Sequence, residues 1–128
     1  MTSKTIYIGV VLVVALAAVG VYLYMGTQNQ PPATNSQSMV IIAKDVKFNV
    51  TNPTFNVKVG TVKITVKNMD TMPHTFIIRE IPSAATALLT PGQSQTITVN
   101  FTAAGDFNYY CSVHPGQMDG VIRVTATP

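Results

Sequence analysis

Reactive side chains are scarce in this chain of 128 residues: it has one cysteine, two histidines and five carboxylates. A single cysteine excludes an internal disulfide. It also excludes any binuclear centre that needs two bridging thiolates. Two histidines leave none over for a second, catalytic metal cluster. The net charge of +3 is spread thinly, with Lys44, Lys47, Lys58, Lys63, Lys67, Arg79 and Arg123 separated by uncharged residues. That pattern lacks the basic stripe of a nucleic-acid interface, so nucleic acid is not an expected partner. No internal repeat or low-complexity tract occurs beyond residue 39.

Charge is absent altogether from residues 6–25, I-Y-I-G-V-V-L-V-V-A-L-A-A-V-G-V-Y-L-Y-M. A run of about 20 apolar residues matches what a helix needs to cross a bilayer. A cleaved secretory signal is the competing reading, but its apolar core is usually only about 7–15 residues long. The length of the run favours an uncleaved transmembrane helix. Lys4 is the one cation close to the segment and should stay cytoplasmic, which places everything downstream on the extracytoplasmic side of the cell membrane. No cysteine near the end of the run offers a lipid attachment point. Residues 26–38, G-T-Q-N-Q-P-P-A-T-N-S-Q-S, are polar and aperiodic and read as a flexible linker. The expected organisation is an anchor or signal over 1–25, a linker over 26–38 and one folded domain over 39–128.

Within that domain the dominant signal has period two. Val46, Phe48 and Val50 alternate with Lys47 and Asn49; Val62, Ile64 and Val66 with Lys63, Thr65 and Lys67; Ile97, Val99 and Phe101 with Thr96, Thr98 and Asn100. Such alternation marks half-buried strands. Turn residues fall between them at Asn52-Pro53, Gly60, Asn68 to Asp70, Pro91-Gly92 and Gly105-Asp106. The spacing predicts an all-β sandwich of seven to eight strands in two sheets. The one segment with helical potential is a short stretch over residues 83–89.

Chemistry concentrates near the C-terminal end, in F-N-Y-Y-C-S-V-H-P-G-Q-M-D-G-V-I-R-V, which carries Cys111, His114 and Met118. Upstream, N-M-D-T-M-P-H-T-F carries His74. Two imidazoles and a thiolate in a trigonal set, with a weak axial thioether, suit copper that cycles between oxidation states. A Cys closing a strand, with a His and a Met in the following turn, can present three ligands from one loop. His74 must then arrive from a neighbouring strand. Taken singly, each residue has a plainer reading: a buried Cys is usually a small hydrophobe, a loop His a solvated side chain, a Met core filler. Their company on one short loop turns the argument toward a metal. Gln117 competes with Met118 for the axial position, since a glutamine oxygen can also serve there.

From residue 39 onward the chain resembles the cupredoxin family, in the neighbourhood of plastocyanin, amicyanin and archaeal membrane-bound blue-copper proteins. Three stretches carry the resemblance: F-N-V-K-V-G-T-V-K-I-T-V-K-N over residues 55–68, His74-Thr75-Phe76, and the loop over residues 111–120. It implies a Greek-key sandwich and one type 1 copper, with His74, Cys111 and His114 as equatorial ligands and Met118 as the axial ligand. Met118-Asp119-Gly120 matches the family's Met-x-Gly, which Gln117 does not. Two features depart from the relatives. The three-residue gap between His114 and Met118 lies between those of amicyanins and plastocyanins. Thr75 stands where plastocyanin-like relatives have Asn, a residue whose backbone amide is expected to donate to the thiolate sulfur and which ties the ligand loops together.

The resemblance implies an electron carrier rather than an enzyme, probing its redox partners through His114. The rim of that port would be Met72, Pro73, Pro115 and Gly116. A tethered monomer would serve a membrane cytochrome or terminal oxidase. The alternative is storage or delivery of copper, because Met69 and Met72 lie close to His74 and soft thioethers suit Cu(I). Two sequons, at Asn49 and Asn100, are candidate glycosylation sites.

Overall fold

A computed structural model of the protein describes residues 36–127. The expected membrane segment, and all of the expected linker except residues 36–38, lie outside the described residues. Among the described residues no helix is long and apolar enough to cross a membrane.

Period-two alternation becomes nine strands: β1 (Gln37–Lys44), β2 (Lys47–Phe48), β3 (Phe55–Lys58), β4 (Gly60–Asn68), β5 (Ile77–Ile78), β6 (Ile81–Ala85), β7 (Ser94–Phe101), β8 (Gly105–Tyr110) and β9 (Asp119–Thr125). They form a four-stranded sheet in the order β2-β1-β4-β7 and a five-stranded sheet in the order β3-β9-β8-β5-β6. Two pairings are parallel, β1 with β4 and β3 with β9. Both need crossovers between the sheets, so the chain is sewn through the sandwich rather than folded as a meander. Strand β4 pairs β7 in a register that sets Val62 opposite Val99 and Ile64 opposite Ile97, all of them buried. Each such side chain taken from water contributes about 1.5–3 kcal/mol, which is why the register does not slip.

The structure differs from the sequence expectation in four places. The strand count is nine, because two-residue strands β2 and β5 are too short to produce a periodic signal. β1 starts at Gln37, inside the expected linker, and the Gln37 side chain is held at both ends by the Lys58 backbone. The alternation at Val46, Phe48 and Val50 is mostly not a strand. Val46 sits in a turn at φ 55°, Val50 is 78% exposed at φ 72°, and only Lys47-Phe48 pairs. Side-chain hydrogen bonds outcompete strand pairing here: Asn52 accepts from the Phe48 amide, and Asn49 from the Ile42 amide. Residues 83–89 form no helix. Ile81 and Ala85 pair with β5, Thr86 exchanges hydrogen bonds with Phe76, and Leu89 bridges His74. Tertiary pairing has overridden the helical preference of Ala84, Ala85, Ala87 and Leu88.

Below the end that carries His74 and Cys111 an aromatic cluster fills the core. The Phe76 and Tyr109 rings stack at 5.3 Å, and Phe48 meets both edge-on at 5.4 and 5.6 Å. Tyr109 is fully buried, and its hydroxyl donates to the Pro53 carbonyl at 2.6 Å. To reach that carbonyl the ring crosses Gly120, its cross-strand neighbour on β9. A Cβ at Gly120 would collide with the Tyr109 hydroxyl and Cζ. The glycine of Met118-Asp119-Gly120 is therefore a space requirement of Tyr109.

Candidate metal centre

Cys111 follows directly on β8, and its amide donates to the Met118 carbonyl at 3.1 Å, so the loop over residues 111–118 closes on itself. Inside it the Gln117 amide donates to the His114 carbonyl at 3.2 Å, across Pro115 and Gly116. Gly116 has φ 77°, the left-handed conformation that the third residue of a type II turn requires. Proline at the second position and glycine at the third thus reverse the chain after His114 and return it, at Met118, to the Cys111 amide.

His74 comes from the segment between β4 and β5. It exchanges both backbone hydrogen bonds with Leu89, at 2.8 and 3.0 Å. Asn68, fully buried at the end of β4, staples the intervening loop: its Nδ2 donates to the carbonyls of Met72 and Leu89, and its Oδ1 accepts from the Asp70 amide.

These two loops bring together His74, Cys111 and His114, each offering one donor atom, all within 4.8 Å of one another. The sulfur lies 3.9 Å from His74 Nδ1 and 3.8 Å from His114 Nδ1. A trigonal metal with bonds of about 2.0–2.1 Å to nitrogen and about 2.3 Å to sulfur would hold those atoms about 3.8 Å apart, so the donor set fits a single ion. His74 and Cys111 are fully buried; His114 is half-buried, its ring centroid 4.9 Å from that of His74. No buried side-chain nitrogen or oxygen among the described residues lacks a hydrogen-bond partner.

Tautomer and charge follow from the neighbours. His74 Nε2 lies 2.8 Å from Asp70 Oδ2. An ionised carboxylate only accepts, so Nε2 carries the proton and Nδ1 keeps its lone pair on the sulfur side. Hydrogen bonding, chiefly from the Val46 amide, holds the Asp70 carboxyl down to about 2 from 3.8; burial opposes this, and His74 and Thr71 add to it. On the other side of the site the Thr75 amide donates to Cys111 Sγ at 3.4 Å, as the resemblance to plastocyanin-like proteins implies. Thr75 also takes over the tie between the loops. Its Oγ1 accepts from the Ser112 amide at 2.9 Å, lies 2.8 Å from Ser112 Oγ and sits 3.8 Å from the sulfur. One arrangement satisfies all three contacts: both Ser112 donors point to Thr75 Oγ1, and the threonine hydroxyl points to sulfur.

Met118 is fully buried in the same core cluster as Cys111, whose amide donates to its carbonyl. Gln117 is exposed, and its carbonyl accepts from Asn52 Nδ2 at 2.8 Å. His114 is half-buried, its loop neighbours Val113, Pro115 and Gly116 are exposed, and Met72, two residues before His74, is 42% exposed. Sequence reading missed two residues, Asn68 and Asp70, both of which it assigned to a turn. Asp70 stands four positions before His74, but in an irregular loop that spacing does not say which way either side chain points.

The family model for the cupredoxin-like domain matches residues 14–124. Among solved structures, an auracyanin from Roseiflexus castenholzii in its reduced state aligns with TM-score 0.59 and 23% identity, over 72% of this chain and 98% of that one. A point mutant of amicyanin, also reduced, aligns with TM-score 0.54 and 28% identity, over 68% and 81%. A copper-containing nitrite reductase from Thermus scotoductus aligns with TM-score 0.56 and 21% identity, but this chain spans only 28% of that one. No curated protein sequence matches significantly. The match over most of the chain, the two-sheet sandwich, and a His-Cys-His site consistent with a single type 1 copper place this chain in the cupredoxin-like family.

Proposed function

We propose that the protein is a one-electron carrier in which His74, Cys111 and His114 would hold one copper and the Met118 thioether would add a weaker fourth contact. The observation that carries this reading is one sulfur with an imidazole Nδ1 at 3.9 Å and a second at 3.8 Å, in a cluster whose three donor atoms lie within 4.8 Å of one another. When bound, copper supplies a centre that exchanges a single electron between Cu(I) and Cu(II). The chain's own work is positional. Two crossing loops fix the three donors before the metal arrives, and the Thr75 amide stabilises negative charge on sulfur. Burial of Met118 and exposure of Gln117 support the thioether as the axial donor. The reduced states of the matched auracyanin and amicyanin accord with redox cycling. A nitrite reductase or multicopper oxidase activity would need further histidines, and the chain has only two.

The half-buried His114 and its exposed loop neighbours suit a small, short-lived interface with a redox partner such as a membrane cytochrome or terminal oxidase. The uncharged run over residues 6–25 supports an extracytoplasmic domain tethered to the membrane, where the tether raises its effective concentration near such partners. One observation favours copper delivery as a second reading: Met69 and Met72, on the loop that carries His74, are 61% and 42% exposed. The visible and electron paramagnetic resonance spectra of the full chain loaded with Cu(II), alongside Cys111→Ser, separate the two. An intense thiolate-to-copper band and narrow hyperfine splitting, both lost in the variant, are expected of the carrier. A colourless protein, or a tetragonal copper signal indifferent to Cys111, moves the function to delivery.

A further inference from the structure

Between Lys44 and Pro53 the backbone is unusually constrained. Asp45, Val46, Asn49, Val50 and Asn52 all have positive φ, and none is glycine. Asp45 and Val46, at φ 53° and 55°, form the two-residue turn joining β1 to β2. Such turns favour Asn-Gly, and a β-branched residue there is strained by about 1–3 kcal/mol. Something outside the turn must hold it.

The Val46 amide donates to Asp70 Oδ2 at 2.9 Å, and that same oxygen receives His74 Nε2–H at 2.8 Å. Oδ1 accepts from the Thr71 amide at 2.7 Å, with the Thr71 hydroxyl at 3.5 Å. The Asp70 side chain is 9% exposed and that of His74 is fully buried. Asp70 is thus immobilised by the backbone on two sides, and it presents one oxygen to the imidazole face opposite the metal position.

We propose that Asp70 is a positioning residue for the copper centre: a carboxylate locked by the Val46 turn that fixes the His74 tautomer and ring orientation and places a negative charge behind the ring. The inference rests on the carrier reading above. A carboxylate behind a ligating imidazole strengthens its donation to the metal, and removing such a partner typically costs about 10–100-fold in metal affinity. Negative charge behind the ring favours Cu(II) over Cu(I), because the more highly charged ion gains more from it. Asp70 therefore lowers the reduction potential. The strained turn is the support that keeps its carboxylate from rotating away.

Three variants of the full chain test this: Asp70→Asn, Val46→Gly and the double variant. Asp70→Asn keeps the shape and removes the charge. It should weaken Cu(II) relative to Cu(I) at least tenfold, raising the potential by about 59 mV or more, with the thiolate band retained. Val46→Gly keeps the backbone amide that donates to Asp70, relieves the strained turn and should raise thermal stability. In the double variant glycine restores thermal stability while the raised potential persists. Nitrogen NMR of the metal-free protein supplies a readout without copper: the His74 ring should be the Nε2–H tautomer in wild type and lose that preference in Asp70→Ala. An unshifted potential in Asp70→Asn, a shift abolished by adding Val46→Gly, or an unchanged tautomer in Asp70→Ala would each reduce Asp70 to a brace of the loop and overturn the proposal. Failure of the carrier reading is distinguishable, because the wild-type protein would then lack the thiolate band.

Discussion

Gly120→Ala isolates the packing between β8 and β9. A methyl group at Gly120 would overlap the Tyr109 hydroxyl and Cζ and reach Cε1 at 2.7 Å. The ring has no free direction, since Phe48, Phe55 and Phe76 contact it at centroid distances of 5.3 to 5.6 Å. Overpacking of this kind costs about 1–3 kcal/mol. Displacing the ring also breaks the 2.6 Å hydrogen bond to Pro53, about 1 kcal/mol more. The expected loss is about 2–4 kcal/mol, a fall in melting temperature on the order of 10–30 °C for a domain of this size. Thermal unfolding of the metal-free full chain, followed by circular dichroism, measures it. The decisive comparison is the Tyr109→Leu background. There the collision is gone, and alanine should be neutral or stabilising by about 0.5–1 kcal/mol, because glycine in a strand is the less favourable residue. Equal destabilisation in both backgrounds would refute the collision with Tyr109 as the reason for the glycine.

Thr75→Val removes the acceptor for the Ser112 amide and the hydroxyl near sulfur while leaving the Thr75 amide in place. Metal-free stability should fall by about 1–2 kcal/mol, and the copper-loaded potential should fall as well, because one donor to the thiolate is lost; Thr75→Ser should restore both. The acid limb of metal-free stability should report Asp70. Its folded value of about 2 lies below the ordinary 3.8, so its contribution is complete above roughly pH 4 and disappears as pH falls through 2. Melting temperatures between those limits should fall steeply in wild type and more gently in Asp70→Asn. Asp106 and Glu80 are lowered too and push in the same direction. Asp106 does so through its exposed pair with Arg123, a component that high salt should suppress. A slope unchanged by Asp70→Asn would refute the assignment.

Periodicity alone determined the long buried strands, because burial of one face leaves a mark every second residue: β4 and β7 lie where Val62, Ile64, Val66 and Ile97, Val99, Phe101 alternate. Residue chemistry alone narrowed the candidate donors, since the chain has one cysteine and two histidines. The tertiary structure decided what depends on direction in space. Val46 and Val50 carry a strand pattern and sit in turns, because side-chain amides of Asn49 and Asn52 take the backbone hydrogen bonds. Residues 83–89 carry helical preference and pair as strand and bridge, because β5 and His74 offer partners that an isolated segment lacks. Asn68 and Asp70 read as turn polarity and prove to be the staple and the carboxylate behind His74. Composition and spacing report which atoms are available to a metal. Which of them face one another, and what holds them there, is set by loops whose conformation exists only once the two sheets have closed.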